Sequence, residues 1–370
     1  MDRVDIAVIG GGPAGATFAR LAGEKYRIAL LDRRRFHGAG EGPVKCCGGL
    51  LSPDGQRSLA SQGLNLPLKV LVDPQIFAVK TMDMAVGPVR YYPRPYVNMD
   101  REAFHRWLIS LLPSRVQVLE SAVCCGVRRV EDGFAVTCRQ NGETRTLLAD
   151  RIVGADGGNS LVRRTFFPHK QIRRYVAVQE WYEAGDQSPF YGALFDRELT
   201  DCYGWLISKN NSLVLGAAFP EDEAARRFEK LRDKLEGRGV RFGKRVRREG
   251  CMVCRPMGPS ALCTGGDGVF LLGEAAGFIS PSSLQGISYA LDSGALLARA
   301  LEPGTEGAEA RYLHLTAGLR LQLMSKLCKN PVLYTPWIRR MILETGVGSM
   351  RRFCAPAVEK ANRMQYTEGK

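Results

Sequence analysis

Three glycines and an acid carry the first chemistry in this chain. Gly10, Gly12 and Gly15 are spaced G-x-G-x-x-G, with Pro13 and Ala14 between the last two, and Asp32, followed by Arg33, stands twenty residues beyond Gly12. Gly10 permits a tight turn, Gly12 lets the backbone approach a pyrophosphate, and Gly15 lets a helix pack closely on a strand. A helix starting there offers free N–H groups and a positive dipole end to phosphates. A carboxylate at the Asp32 position accepts hydrogen bonds from ribose hydroxyls. The pattern predicts dinucleotide binding.

Those residues need a βαβ unit around them, and the neighbouring sequence supplies one. Residues 5–9 are an apolar run without alternation, as expected of a strand buried on both faces of a parallel sheet. A helix over Pro13–Ala22 and a strand over 27–31 follow. Residues 151–157 and 268–273 repeat the buried-strand pattern, and a helix is expected over 287–300. Asn98-Met99-Asp100-Arg101 leads into an amphipathic helix with Phe104, Trp107, Leu108 and Leu111 on one face. Residues 116–120 and 133–138 read as strands, the latter closing a hairpin at Asn141-Gly142. Residues 64–89 hold two or three short strand-like runs. From 175 to 219 the pattern becomes β-rich and aromatic, followed by a charged helix over 221–235 and a strand over 250–255.

Composition narrows the function classes. The 370 residues, 45% hydrophobic, can bury a sizeable core. No run of about 18 apolar residues reads as a membrane span, and Asp2, Arg3 and Asp5 before a short apolar run do not read as a signal peptide. The net charge of +14 is uneven. Residues 311–370 carry eleven Lys/Arg (311, 320, 326, 329, 339, 340, 351, 352, 360, 363, 370) against Glu344, Glu359 and Glu368. Such an end suits anionic lipid or an acidic partner; without interleaved aromatic residues, nucleic acid ranks last. Eleven scattered cysteines, including the adjacent pairs Cys46-Cys47 and Cys124-Cys125, read as free thiols in a reducing cytoplasm. Cys251-Met252-Val253-Cys254 has metal-site spacing, but with no second CxxC or His pair beside it no metal is expected.

Two further signatures accompany the glycine motif. One is Gly154-Ala155-Asp156-Gly157-Gly158-Asn159-Ser160-Leu161-Val162-Arg163. The other is Gly273-Glu274-Ala275-Ala276-Gly277-Phe278-Ile279-Ser280-Pro281, followed by Gly286-Ile287. Together the three resemble FAD-dependent oxidoreductases of the p-hydroxybenzoate-hydroxylase-like fold, a group that includes aromatic hydroxylases, flavin halogenases and geranylgeranyl reductases. Lys45-Cys46-Cys47-Gly48-Gly49-Leu50 resembles the Cys-Gly-Gly element of the geranylgeranyl reductase family, with Cys47 the matching cysteine. Tyr203-Gly204-Trp205 resembles that family's Tyr-x-Trp element, with Ile207-Ser208 where the family has Phe-Pro. The chain as a whole looks most like the bacterial CbrA-like branch.

The resemblance implies an α/β fold: a Rossmann-type FAD-binding domain with a parallel sheet, interleaved with an antiparallel-sheet substrate domain and a helical C-terminal tail. The expected division is discontinuous, with residues 1–70, 99–165 and 266–305 in the FAD-binding domain, 71–98 and 166–265 in the substrate domain, and 306–370 in the basic helical region. Contacts to FAD are expected from Gly10, Gly12, Pro13, Ala14, Gly15, Asp32, Arg33, Cys47, Gly48, Gly49, Arg101, Asp156, Gly273, Glu274, Gly277, Gly286 and Ile287. Glu274 is one methylene longer than the family's usual Asp, and the helix opened by Gly286-Ile287 would face flavin N1 and O2. Tyr203, Trp205, Trp181 and Tyr191 are expected to line a substrate pocket.

The implied reaction is reduction of a carbon–carbon double bond in a long apolar, isoprenoid-like substrate by hydride from flavin N5, with Cys47 the candidate catalytic proton donor. A flavin monooxygenase, or a halogenase, is the alternative reading, and a flavin-binding sensor or assembly protein without turnover is the third. Ser208 stands where the halogenase Trp-x-Trp-x-Ile-Pro motif ends in proline. No second GxGxxG follows Asp156, so the electron donor is expected to be transiently bound NAD(P)H or a carrier protein such as ferredoxin, which the positive charge favours. Leu319, Leu321, Leu323, Met324 and Leu327 alternate with Arg320, Lys326 and Lys329, as in an interfacial helix. A cytoplasmic protein with peripheral contact at the inner membrane face is therefore expected.

Overall fold

A computed structural model describes residues 3–36, 45–85, 87–183 and 188–350. Its first sheet grows from β1 (Arg3–Ile9), which runs parallel to β2 (Ile28–Leu31) on one side and to the strand Glu143–Gly154 on the other. Ile6, Ala7 and Val8 are wholly buried, side chains on both faces alike, which is why the run shows no alternation. The sheet order is Gly265–Gly266, Val269–Leu271, Glu143–Gly154, β1, β2, Gln117–Leu119, and the hairpin strands Ala122–Val130 and Gly133–Gln140 add to Glu143–Gly154. Gly133–Gln140 turns into Glu143–Gly154 at Asn141 and Gly142, both at positive φ as a two-residue turn requires. Helix α1 (Pro13–Ala22) and the helix Ile287–Leu301 cross at Gly294, where a Cβ would lie 2.5 Å from Ala14 O.

The second sheet has the order Arg245–Arg255, Arg173–Glu183, Ser212–Phe219, Gly204–Lys209, Phe190–Phe195, Ile76–Asp83, Arg90–Asn98, Leu50–Leu51. It is antiparallel except between Phe190–Phe195 and Ile76–Asp83, which run parallel. Helix Ala224–Glu236 buries Phe228, Leu231 and Leu235 against Leu213, Leu215, Ala217 and Phe219 on one face. The other face, with Tyr175, Tyr191, Trp205 and Val253, closes over the functional cavity described below.

Two expectations are corrected. Residues 64–89 hold one strand, Ile76–Asp83, preceded by a 3-10 turn at Leu68–Val70. Its partner Arg90–Asn98 carries Pro93 and Pro95, which mask the strand pattern; the register slips between Ile76 and Ala78, so the prolines sit at an irregularity that tolerates them. The leucine alternation over 319–327 is not one continuous helix: Ala317–Ser325 is helical and Lys326–Lys329 a 3-10 turn. Leu319 and Leu323, one turn apart, enter the core, while Leu321 is 73% exposed. Arg351, Arg352, Lys360, Arg363 and Lys370 of the basic end lie outside the described residues. Among those described, no helix is long and apolar enough to cross a membrane.

Candidate functional site

A cavity of about 670 Å³ is lined by residues of both sheets and connects the glycine motif to the aromatic strands. At the glycine end, Gly10 turns at φ +106°, and a Cβ there would stand 2.5 Å from Ala155 O. Gly12 caps α1 and Pro13 takes its first position; with Ala14 they line the cavity, and a Cβ at Gly12 would meet open space. Gly15 lies behind the wall, where a Cβ would fall 2.0 Å from Gly10 O, so it serves the close helix–turn contact.

Asp32 ends β2 as a buried carboxylate. Its Oδ2 accepts from the Gly11 amide at 2.7 Å and from Arg34 Nη2 at 2.6 Å, and its Oδ1 accepts from Arg34 N and Nε at 2.8 and 2.9 Å. Burial pushes its pKa up, but the Arg34 bonds and charge, with the Gly11 amide, hold it below the usual carboxylate range. Arg33 and Arg34 both line the cavity.

Asp156 and Glu274 are at the wall with their oxygens engaged. Asp156 Oδ1 accepts from Ser160 Oγ at 2.5 Å and Oδ2 from the Leu161 amide at 2.7 Å, fixing the Gly157–Asn159 turn. Glu274 Oε1 accepts from the Cys254 amide at 2.8 Å, and Oε2 pairs with the Lys45 ammonium. Burial opposes the Lys45 charge, but the Glu274 carboxylate outweighs it and raises the lysine pKa. Gly273 lines the cavity at φ +52°; Gly277 does not, which corrects the expected contact. Gly277 instead closes the turn in the left-handed conformation, under Ala261 O. Gly286 caps the helix Ile287–Leu301, and with Ile287 it brings that N-terminus to the cavity.

Arg101 opens the helix Arg101–Ser110, whose Asp100 cap accepts from the Glu102 and Ala103 amides at 2.8 Å each. Its guanidinium lines the cavity, yet Nε and Nη1 are buried without a protein partner. Burial lowers its pKa. One turn on, buried His105 places Nδ1 against Arg34; burial, then the charges of Arg101, Arg34 and Lys45, hold its pKa well below the usual value, so the ring is neutral.

Cys47, Gly48 and Gly49 form a turn on the same wall. The Gly49 amide donates to Cys47 Sγ at 3.5 Å, and a Cβ on Gly48 would lie 2.5 Å from Ile207 Cδ1. Behind the turn, Lys209 Nζ donates to Asn98 Oδ1 and Met99 O at 2.7 Å each and to Gly49 O at 3.3 Å. Burial pushes the Lys209 pKa down to about 8.

The far end is lined by Tyr96, Tyr191, Tyr203, Trp205 and Ile207. Tyr203 donates to Ser283 O at 2.5 Å, Tyr96 Oη accepts from Gln285 Nε2 at 2.8 Å, and Trp205 Nε1 donates to Gln179 Oε1 at 2.9 Å. Their polar tips are spent within the protein, leaving ring faces around the space. Trp181 is corrected: it stands outside this lining, donating to Glu249 Oε2 at 3.4 Å with the Arg247 guanidinium 4.4 Å from its ring centroid. It shares a strand with Ala177, which does line the cavity, but lies four residues, roughly 13 Å, further along. Sequence reasoning had not assigned Arg34, Lys45, His105 or Cys251 to the site. Arg34 and Lys45 adjoin quoted motifs and could have been proposed, and Cys251 opens the CxxC noted for its spacing; His105 carries no local signal.

No family model matches the chain. Among solved structures, a geranylgeranyl bacteriochlorophyll reductase-like protein from Thermoplasma acidophilum aligns with TM-score 0.69 and 18% identity, covering 93% of this chain and 88% of that one. PqsL, a probable FAD-dependent monooxygenase from Pseudomonas aeruginosa, aligns with TM-score 0.68 and 21% identity, covering 94% and 99%. At those identities they share the fold, the Rossmann-type α/β architecture expected from the motifs. Protein CbrA of Escherichia coli O157:H7 is 44% identical over 347 residues, which span 94% of this chain and 98% of the relative. On that identity across nearly the whole of both proteins, the chain belongs to the CbrA family.

Proposed function

We propose that the chain is an FAD-dependent oxidoreductase that reduces carbon–carbon double bonds in a long apolar, isoprenoid-like substrate. Two observations suit FAD. Open space in front of Gly12 and the α1 N-terminus fits a pyrophosphate. The two buried, unpartnered N–H groups of Arg101 fit an anionic or carbonyl acceptor, because a buried donor left unpaired costs about 1–3 kcal/mol. Gly10, Gly12, Pro13, Ala14, Asp32 and Arg33 would hold the adenosine and pyrophosphate end. Gly48, Gly49, Arg101, Gly286 and Ile287 would hold the isoalloxazine end, where the helix N-terminus favours developing negative charge. When bound, FAD supplies the two-electron transfer.

The aromatic chamber carries the substrate reading. With the tips of Tyr96, Tyr203 and Trp205 engaged elsewhere, the wall offers ring faces and few free polar groups, which suits an apolar chain and excludes water. Cys47, on the turn beside that chamber, is the proposed proton donor. The likeness to a reductase-like structure supports this reading, and the likeness to PqsL supports an oxygenase as the second. NAD(P)H or ferredoxin is the proposed electron source, and the basic C-terminal region the proposed contact with anionic lipid. Rates of reduction by ferredoxin that ignore salt would count against a carrier.

The test starts from enzyme whose flavin has been reduced by light without oxygen, mixed with a polyprenyl lipid extract. Flavin reoxidation with gain of hydrogen pairs on a lipid is expected. A flavin that stays reduced until air is admitted, then yields an oxygenated product, selects the oxygenase. A folded chain that binds no FAD overturns both.

A further inference from the structure

The cavity wall holds a thiol pair that the proposed reaction does not use. Cys46 lies on the loop before the Cys47 turn, and Cys251 on the edge strand Arg245–Arg255, 205 residues later. They meet at the wall, where the Cys251 thiol donates to the Cys46 backbone carbonyl at 3.6 Å. Both are free, and both line the cavity. Their surroundings are asymmetric. The neighbouring Cys46 thiol, opposed by burial and helped by the Lys45 ammonium, lowers the Cys251 pKa, whereas contact with Cys251 and burial raise that of Cys46. That asymmetry matches a nucleophilic cysteine beside a resolving one.

We propose that Cys46 and Cys251 are a hydroperoxide-reactive dithiol whose oxidation closes a disulfide across the cavity wall. Cys251 sulfur attacks one peroxide oxygen, forming an S–O bond and breaking the O–O bond, and the departing oxygen takes a proton and leaves as water or alcohol. Cys46 sulfur then attacks the sulfenic sulfur, forming the S–S bond and breaking S–O, and the hydroxyl leaves as water with the Cys46 proton. Two electrons pass from the two thiols to the hydroperoxide. Reduced flavin exposed to oxygen releases hydrogen peroxide, so the oxidant's source rests on the proposed FAD reading; the thiol pair does not.

The full-length protein is treated with stoichiometric hydrogen peroxide, free thiols are blocked with N-ethylmaleimide, and the unreduced digest is analysed by mass spectrometry. The expected product joins the Cys46 and Cys251 peptides with loss of two hydrogens, and dithiothreitol removes it. In C46S, dimedone is expected to capture a sulfenic acid on Cys251; in C251S it should not label Cys46. A Cys46–Cys47 link, or a Cys251 still alkylated in treated wild-type protein, overturns the proposal. Wild-type mapping stands alone if a variant fails to fold. Failure of lipid reduction with the cross-link present would overturn the reductase reading and leave this one standing.

Discussion

Trp205 and Gly216 face each other on adjacent antiparallel strands, and the indole lies so close that a Cβ on Gly216 would fall 2.3 Å from its Cε2 and Nε1. The glycine is the seat of the ring that walls the aromatic chamber. Gly216→Ala should push the indole off Gln179 and cost about 1–3 kcal/mol through overpacking. Flavin content should hold while the KM for substrate rises. Denaturant unfolding and steady-state kinetics check the two effects separately.

Glu274 joins Lys45 to the Cys254 amide across the cavity wall. Glu274→Ala leaves that N–H buried and unpaired and should cost about 1–3 kcal/mol. Glu274→Gln keeps an acceptor for Cys254 and should recover part of the loss. Chemical denaturation of the pair of variants reads the difference.

Arg101 predicts effects of opposite sign in the two forms of the protein. Its Nε and Nη1 are buried without partners, so Arg101→Met should leave the flavin-free protein as stable as wild type or more so. The same change should weaken flavin retention at least tenfold. Melting temperatures of both forms, with flavin absorbance per chain, test it. A flavin-free form that is strongly destabilised would show that the guanidinium is structural.

Lys209 gives a pH signature. Its folded pKa is pushed by burial from 10.5 down to about 8. Between those values the unfolded chain binds more protons, so this residue makes stability rise with pH across that window; below it, the full cost of the buried charge is present. The stability of wild type minus that of Lys209→Met should therefore increase from pH 8 to pH 10.5. Denaturant midpoints across this range check the slope, and a flat difference would reject it.

Cys47→Ala and Cys47→Ser should keep bound FAD, because the turn is held by Lys209 and by the glycine backbone. Substrate reduction should slow by about a hundredfold, the lower range for losing a general acid. Single-turnover flavin reoxidation measures it; an unchanged rate removes Cys47 as proton donor.

The glycine loop, its helix and β2 were legible because each depends on neighbours in the chain. Spacing alone dictates where Gly10 must turn, where Gly12 must leave room and where Asp32 must arrive. The hairpin at Asn141-Gly142 and the helix capped by Asp100 were legible for the same reason. Contacts between distant segments were not. Glu274 was legible as a cavity residue from its loop, but that Lys45 and Cys254 meet its two oxygens was decided only by the fold. Trp181 looked like a pocket residue because it is aromatic and lies in an aromatic block, but the length of its strand carries it past the cavity. The Cys46–Cys251 meeting bridges 205 residues and exists because the edge of the second sheet closes over a loop beside the first. Local backbone preference and period write the elements into the sequence, whereas which side chains share a wall depends on how two sheets pack, a property of the whole chain.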